Sequence, residues 1–225
     1  MRQSLKHLAS LVMIPIVRWY LRKERRYTYQ DVIVHIQPGV FHPGFFSSTK
    51  FLLAFLEKQN LKKQSLLELG CGSGLISVVA AKRGANVTAS DLSEKAIKNT
   101  QANARLNQVA VDTIFSDLFE NIPPKRFDWI VINPPYYAQT PQNDSDLAWY
   151  CGENFEYFTH LFQSLNNYIL ESTEVIMVLT KGCDVSTIIK MANRGGFQFQ
   201  LIREKKVFFD EKDFLYRIKK VNSSL

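Results

Sequence analysis

Between residues 65 and 84 the chain passes from a short apolar run, through the turn Gly70-Cys71-Gly72-Ser73-Gly74, into a second apolar stretch with helical spacing. A buried strand that feeds a helix through a glycine-rich turn opens a βα unit, and the next strand then returns parallel to the first. The alternation recurs. Runs at 65–70, 86–90, 112–117, 127–132 and 173–180 read as buried strands, and 75–84, 93–107, 153–170 and 184–194 read as helices. Ser93 suits the N-cap of one helix, and Gly84 closes the preceding one. The chain ends differently. The strand-like stretches 197–209 and 213–221 flank a turn at Asp210-Glu211-Lys212 that is too short for a crossover helix, so they pair as an antiparallel hairpin. The expectation is an α/β fold with a mostly parallel sheet and helices on both faces.

With 225 residues, 46% of them apolar, the chain suits one domain with a substantial core. The longest apolar run near the start, Leu8 to Val17, is ten residues with Ser10 and Pro15 inside it, short of the ~20 a membrane span needs. It leads into Arg18, Arg22, Lys23, Arg25 and Arg26 rather than a small-residue cleavage site, so it reads as retained. Cys71, Cys151 and Cys183 are odd in number and far apart, which supports neither a disulfide framework nor a zinc site and fits a reducing cytoplasm. His7, His35, His42 and His160 lack metal-ligand spacing, so no metal is expected. Phe155, Phe158 and Phe162 share one helical face and read as core.

The net charge of +7 is concentrated. Residues 1–30 carry seven Lys or Arg against the single acid Glu24, and the remainder is nearly neutral. Residues 1–37 are therefore expected as a basic amphipathic arm on a domain formed by 38–225. Such an arm suits RNA, DNA or an anionic lipid surface, and equally a helix that packs on its own domain.

The chemistry begins at the glycine turn. A turn of this kind alone also occurs in dehydrogenases, but here the spacing is GxGxG and Glu68 stands just before the first glycine. A carboxylate repels a pyrophosphate and attracts the sulfonium and ammonium of S-adenosyl-L-methionine; its alternative role is a structural, salt-bridged one. Asp91 ends the next strand, followed by Leu92, where an acid accepts from ribose hydroxyls. Ser116 and Asp117 end the third, where a carboxylate can take the adenine amino group or merely cap a loop. Gly70, Cys71, Gly72 and Gly74 complete the expected cofactor set, with Asn133 at its far end.

Asn133-Pro134-Pro135-Tyr136 directly follows the apolar run Trp129-Ile130-Val131-Ile132. An NH₂ group conjugated to a carbonyl or an aromatic ring is a poor nucleophile unless it is held in place. The Asn133 oxygen and the Pro134 carbonyl can accept its two protons, Pro135 stiffens the turn, and Tyr136 offers a face for stacking. As an alternative, Asn-Pro is a common loop opener.

Together these segments resemble class I S-adenosyl-L-methionine-dependent methyltransferases with an NPPY turn, and within them the HemK-type glutamine N5-methyltransferases of the methyltransferase small-domain family. The resemblance covers residues 38–220. It rests on Val40-Phe41-His42-Pro43 ahead of Thr49, the glycine turn, Asp91, Ala104-Arg105-Leu106-Asn107, Asp117-Leu118-Phe119, NPPY and Ala148-Trp149-Tyr150-Cys151-Gly152-Glu153. It implies a Rossmann-like, seven-stranded sheet with the C-terminal hairpin already inferred. It implies catalytic roles for Asn133, Pro134, Pro135 and Tyr136, and a protein glutamine, as in a release factor, as acceptor. The bacterial members carry an N-terminal helical bundle, whereas this chain resembles the compact type; some compact members need an activating partner, which the sequence does not reveal. The resemblance assigns Thr49 only loosely, to the cofactor carboxylate. An RNA or DNA amine, adenine N6 or guanine N2, is the alternative acceptor, favoured by the basic arm. A non-catalytic or membrane-peripheral binding protein is a third class, which an intact glycine turn and NPPY together disfavour.

Overall fold

The computed structural model describes residues 20–207 and 212–221. The apolar run at 8–17, most of the basic arm and the tip of the C-terminal turn lie outside the described residues.

Among the described residues, nine strands and five α-helices follow one another as β1 (Arg25–Tyr29), β2 (Val32–Ile36), α1 (Ser47–Leu56), β3 (Ser65–Leu69), α2 (Leu75–Lys82), β4 (Asn86–Asp91), α3 (Glu94–Leu106), β5 (Val111–Phe115), β6 (Trp129–Ile132), α4 (Glu156–Ser164), β7 (Glu174–Thr180), α5 (Val185–Arg194), β8 (Phe197–Lys206) and β9 (Lys212–Lys220). Strands β3 to β9 form one sheet in the order β5-β4-β3-β6-β7-β9-β8. The first five are parallel, while β9 runs antiparallel to β7 and to β8, as the short final turn required. The fold is the expected Rossmann-like α/β arrangement, with a seven-stranded mixed sheet.

Alternation along the strands divides the core into two layers. Leu66, Val131, Ile176 and Val178 face one way, against Leu52, Leu53, Ile76 and Val79 of α1 and α2. Leu67, Leu69, Ile130, Ile132 and Met177 face the other, against Phe158, Leu161 and Phe162 of α4 and Ile188 of α5. The aromatic stripe expected as core packs accordingly, with Phe158 and Phe162 buried and Phe155 against them. Ser93 caps α3 by accepting from the Ala96 N–H at 3.4 Å, and Gly84 ends the α2 segment at φ 86°.

The helix expected over 153–170 is shorter than its pattern, because it starts only at Glu156 and gives way to a 3₁₀ turn at Leu165–Asn167. Its start is delayed by the Glu156 carboxylate, which accepts from the Asn154 N–H and side-chain amide at 3.0 Å each and so favours a turn over a helical bond. Phe155 takes the left-handed conformation there, φ 60°.

Part of the segment assigned to the basic arm is a β-hairpin. Strands β1 and β2 pair antiparallel across a turn at Gln30, and Val32, Val34 and Ile36 are buried in the α1/α2 layer. The outer edge of β2 meets a helix instead of a strand. Asn99 and Asn103 on α3 and Asn107 at its C-cap stand at intervals of one helical turn and bond the backbone of every second β2-side residue. Asn107 accepts from Ile33 N (3.2 Å) and donates to Ile33 O (2.7 Å). Asn103 accepts from His35 N (2.8 Å) and donates to His35 O (2.8 Å), and Asn99 accepts from Gln37 N (3.1 Å). A helix advances ~6 Å over four residues and a strand ~6.6 Å over two, so the two ladders stay in step.

Candidate functional site

The carboxyl ends of β3, β4, β5 and β6 open onto one cavity of about 450 Å³, which is where ligands bind in open α/β sheets. Its walls include Glu68, Gly70, Cys71, Gly72, Asp91, Leu92, Ser116, Asp117, Asn133, Pro134, Pro135 and Tyr136, so nearly every residue singled out in the sequence meets in one place. Gly74 does not line it. That glycine starts α2 at φ 75°, and a Cβ there would lie 2.7 Å from Thr100 Cγ2 and 3.0 Å from Thr100 Cα on α3. It permits a close helix–helix approach in a conformation that L side chains rarely adopt. Gly74→Ala is expected to destabilise the protein by about 2 kcal/mol or more, read as a lower denaturant midpoint; an unchanged midpoint would contradict this packing role.

Glu68 is almost fully buried. Its carboxyl accepts from the Ser77 N–H at 2.9 Å and from the Ser77 hydroxyl. Burial pushes its pKa up to about 8, opposed by the two Ser77 hydrogen bonds and assisted by the nearby Asp91. The expected anionic strand end is therefore a largely neutral acid at pH 7 in the ligand-free protein. The native state holds this proton more tightly than the unfolded chain, so Glu68's contribution to stability is full below about pH 4.5 and is lost as the pH rises to about 8. Glu68→Gln, which can still accept from Ser77, is expected to flatten the fall of Tm across that window and to melt above the wild type at pH 8. An equally steep fall in the variant would contradict the assignment.

Asp91 ties β4 to the glycine turn, accepting from Gly72 N at 2.9 Å and Ser93 N at 2.8 Å. Burial raises its pKa, and those backbone N–H groups oppose the rise. A carboxylate with two such bonds keeps lone pairs for further donors. Ser116 is spent locally, donating to Leu118 O at 3.0 Å and accepting from Asn121 N at 3.0 Å, which leaves Asp117 at the cavity wall with Leu92, a 40% exposed apolar side chain. Tyr136 is buried and its phenol is held far above the ordinary range, so it stays neutral.

The roof comes from two segments that the sequence reading placed only by resemblance. The loop after Tyr136 folds back on itself, with Tyr136 N and Tyr137 N both donating to Trp149 O (3.1 and 2.9 Å) and Cys151 N donating to Tyr137 O (3.0 Å). The Trp149 ring packs on Phe41 and Phe46, centroids 5.3 and 4.7 Å away, which joins this loop to the segment before α1. Thr49 of α1 also lines the cavity and accepts from Asn133 Nδ2 at 3.3 Å. Nothing in the local sequence links Thr49 to Asn133. His42 is buried beside Tyr27 and Phe45, accepts from Gly44 N at 3.1 Å, and is kept toward its neutral form by burial. Among the described residues no His, Cys, Asp or Glu cluster is arranged to hold a metal ion, and no helix is long and apolar enough to cross a membrane.

The cavity joins a glycine turn and strand-end acids to a rigid asparagine-proline turn, and residues 31–153 match the methyltransferase small domain. The chain belongs to that family. It is 29% identical over 188 residues to a proposed protein N5-glutamine methyltransferase of Methanocaldococcus jannaschii, covering 81% of this chain and 93% of the relative. It is 34% identical over 131 residues to the ribosomal protein L11 methyltransferase of Helicobacter hepaticus, covering 55% of this chain but only 41% of that relative's length. Among solved structures, the Mtq2-Trm112 complex of E. cuniculi, described as responsible for methylation of the eRF1 translation termination factor, aligns with TM-score 0.60 at 19% identity, over 81% of this chain and 99% of that one. The 16S rRNA N2 G1207 methyltransferase of T. thermophilus, solved with AdoMet and guanosine, aligns with TM-score 0.60 at 17% identity, over 87% and 50%. At these identities the structural likeness speaks for the fold. The T. thermophilus enzyme holds AdoMet, and a further aligned structure, described as a proposed methyltransferase, holds SAH. The cavity fits S-adenosyl-L-methionine in size, and Asp91 and Asp117 at its strand ends suit the polar groups of a nucleoside.

Proposed function

We propose that this S-adenosyl-L-methionine-dependent methyltransferase acts on a planar nitrogen, and that its acceptor is the side-chain amide of a protein glutamine, as in the HemK-type enzymes it resembles. The observation that carries the reading is that Asn133-Pro134-Pro135-Tyr136 lines the same cavity as Glu68 and Asp91.

Asp91 would accept from the ribose hydroxyls, and Leu92, Ser116 and Asp117 would hold the adenine. The turn from Gly70 through Cys71 to Gly72 would let the backbone approach the cofactor closely, with Glu68 in the same wall of the cavity. Bound there, the cofactor would supply an electrophilic methyl: the S–CH₃ bond would break as the N–CH₃ bond forms, the sulfur would leave as a neutral thioether, and the acceptor nitrogen would give one proton to solvent. The Asn133 oxygen and the Pro134 carbonyl accept the two N–H bonds of the acceptor and aim its lone pair. Pro135 limits the turn's freedom, and Tyr136, neutral and buried, walls the acceptor side. Positioning in a site shielded by the Trp149 roof supplies the catalysis.

The protein acceptor is favoured by the M. jannaschii relative, which this chain matches along nearly its whole length. A base amine is the second reading, favoured by the likeness to an enzyme solved with guanosine and by a relative named as ribosomal RNA small subunit methyltransferase C. The two predict different products. In an extract of cells lacking the protein, incubated with methyl-labelled S-adenosyl-L-methionine, the proposal expects label that protease removes and nuclease does not. Label removed by nuclease would transfer the assignment to the base amine. The E. cuniculi complex motivates repeating the assay with a small activating subunit if purified protein alone is inert.

A further inference from the structure

The amide of Asn133 has two ends of nearly equal size and opposite polarity, and the proposed reaction needs only one of them. If the side chain turned over, an NH₂ would face the NH₂ of the acceptor, and the aim of the lone pair would be lost. Something must hold the other end. Among the described residues the hydrogen bond made by the Asn133 side chain is the one from Nδ2 to Thr49 Oγ1, 3.3 Å.

Thr49 is well placed for this. It is 3% exposed, sits in the first turn of α1, and lines the cavity beside Ser48. The helix is itself pinned at that end, since the Ser47 hydroxyl donates to the Asp213 carboxylate at the start of β9. A carboxylate at a helix N-terminus also suits the helix dipole. A hydroxyl, however, can both donate and accept, so it tolerates either end of the amide until its own proton is engaged. An anionic ligand group in the cavity would engage that proton. With the proton committed, Thr49 Oγ1 can only accept, which keeps Nδ2 on Thr49 and turns Oδ1 toward the acceptor.

We propose that Thr49 is a positioning residue that links a carboxylate on the bound cofactor to the orientation of the Asn133 amide. The proposal rests on the role given to Asn133 above. It predicts that cofactor binding organises the acceptor half of the cavity through one hydroxyl, and that Thr49 acts on turnover through Asn133.

The test uses nitrogen-15-labelled protein and two nucleosides, one with the carboxylate-bearing amino-acid tail and one without it. S-adenosylhomocysteine is expected to shift the Asn133 side-chain NH₂ signals and slow their exchange, and 5′-methylthioadenosine, which lacks the amino-acid tail, is expected to do neither. Thr49→Val should abolish the response and Thr49→Ser should restore it. In the labelling assay Thr49→Val should lower kcat about 10-fold or more with the acceptor KM within a few-fold, again restored by Thr49→Ser. Equal responses of Asn133 to the two nucleosides, or unchanged turnover in Thr49→Val, would overturn the proposal. If Asn133→Ala itself transferred methyl at the wild-type rate, the underlying assignment of Asn133 would fall instead; an inactive Asn133→Ala beside a fully active Thr49→Val would remove the role of Thr49 alone.

Discussion

Asn133→Ala is expected to lower methyl transfer by about two to three orders of magnitude while leaving S-adenosyl-L-methionine binding within a few-fold of the wild type. The side chain sits at the carboxyl end of β6, and its hydrogen bond within the protein is the long one to Thr49, so the variant should lose about 1 kcal/mol of stability or less. Its proposed work is done on the acceptor, where the loss of one of two hydrogen-bond acceptors frees the nitrogen to rotate. The Pro134 carbonyl remains, which is why some activity should persist. Single-turnover transfer together with calorimetric cofactor binding separates the two effects. A variant that bound cofactor normally and turned over at more than about half the wild-type rate would remove Asn133 from the mechanism.

Asn103→Leu is expected to be the most damaging substitution remote from the chemistry, costing about 3–5 kcal/mol. The side chain is 1% exposed and serves three backbone groups: it accepts from His35 N (2.8 Å) and donates to His35 O (2.8 Å) and Ser73 O (2.9 Å). Leucine fills a similar volume but leaves His35 N and Ser73 O without the partner that Asn103 provided. His35 O keeps its bond from Asn99, 2.6 Å, so the damage falls on two groups rather than three. For a chain of this size the cost corresponds to a drop in Tm of roughly 10 °C. Because Ser73 belongs to the glycine turn, cofactor affinity should fall as well. Amide exchange locates the defect, with protection lost at His35 before it is lost in β3. A Tm within about 2 °C of the wild type would show that the β2 edge is held by other means.

The asparagine ladder marks where sequence reasoning stopped. Asn99, Asn103 and Asn107 at helical spacing look like the polar face of a solvated helix, yet their partners on the hairpin side lie 62 to 74 residues away along the chain. The hairpin they clasp carried its own signal. Val32, Val34 and Ile36 alternate with Ile33 and His35 beyond a turn at Gln30-Asp31, a half-buried strand pattern obscured by the charge of Arg25 and Arg26 beside it. Charge concentration assigned those residues to an arm, whereas burial of alternate side chains makes 25–36 part of the packed fold. The delayed start of α4 has the same character, since two hydrogen bonds accepted by the Glu156 side chain outweigh a helical pattern.

The sequence by itself determined the order of strands and helices from β3 onward, the antiparallel ending, the glycine turn, and the convergence of Glu68, Asp91, Asp117 and Asn133 on one end of the sheet. Periodicity, turn chemistry and strand ends depend on near neighbours in the chain, and a parallel sheet then carries every strand's carboxyl end to the same edge. Only the tertiary structure decided that Glu68 is mostly neutral at pH 7, that Gly74 makes room for Thr100 rather than lining the cavity, and that Thr49 holds Asn133. Each of these depends on desolvation or on contact between distant segments. Such effects are set by distances through space, which the spacing of residues along the chain does not encode.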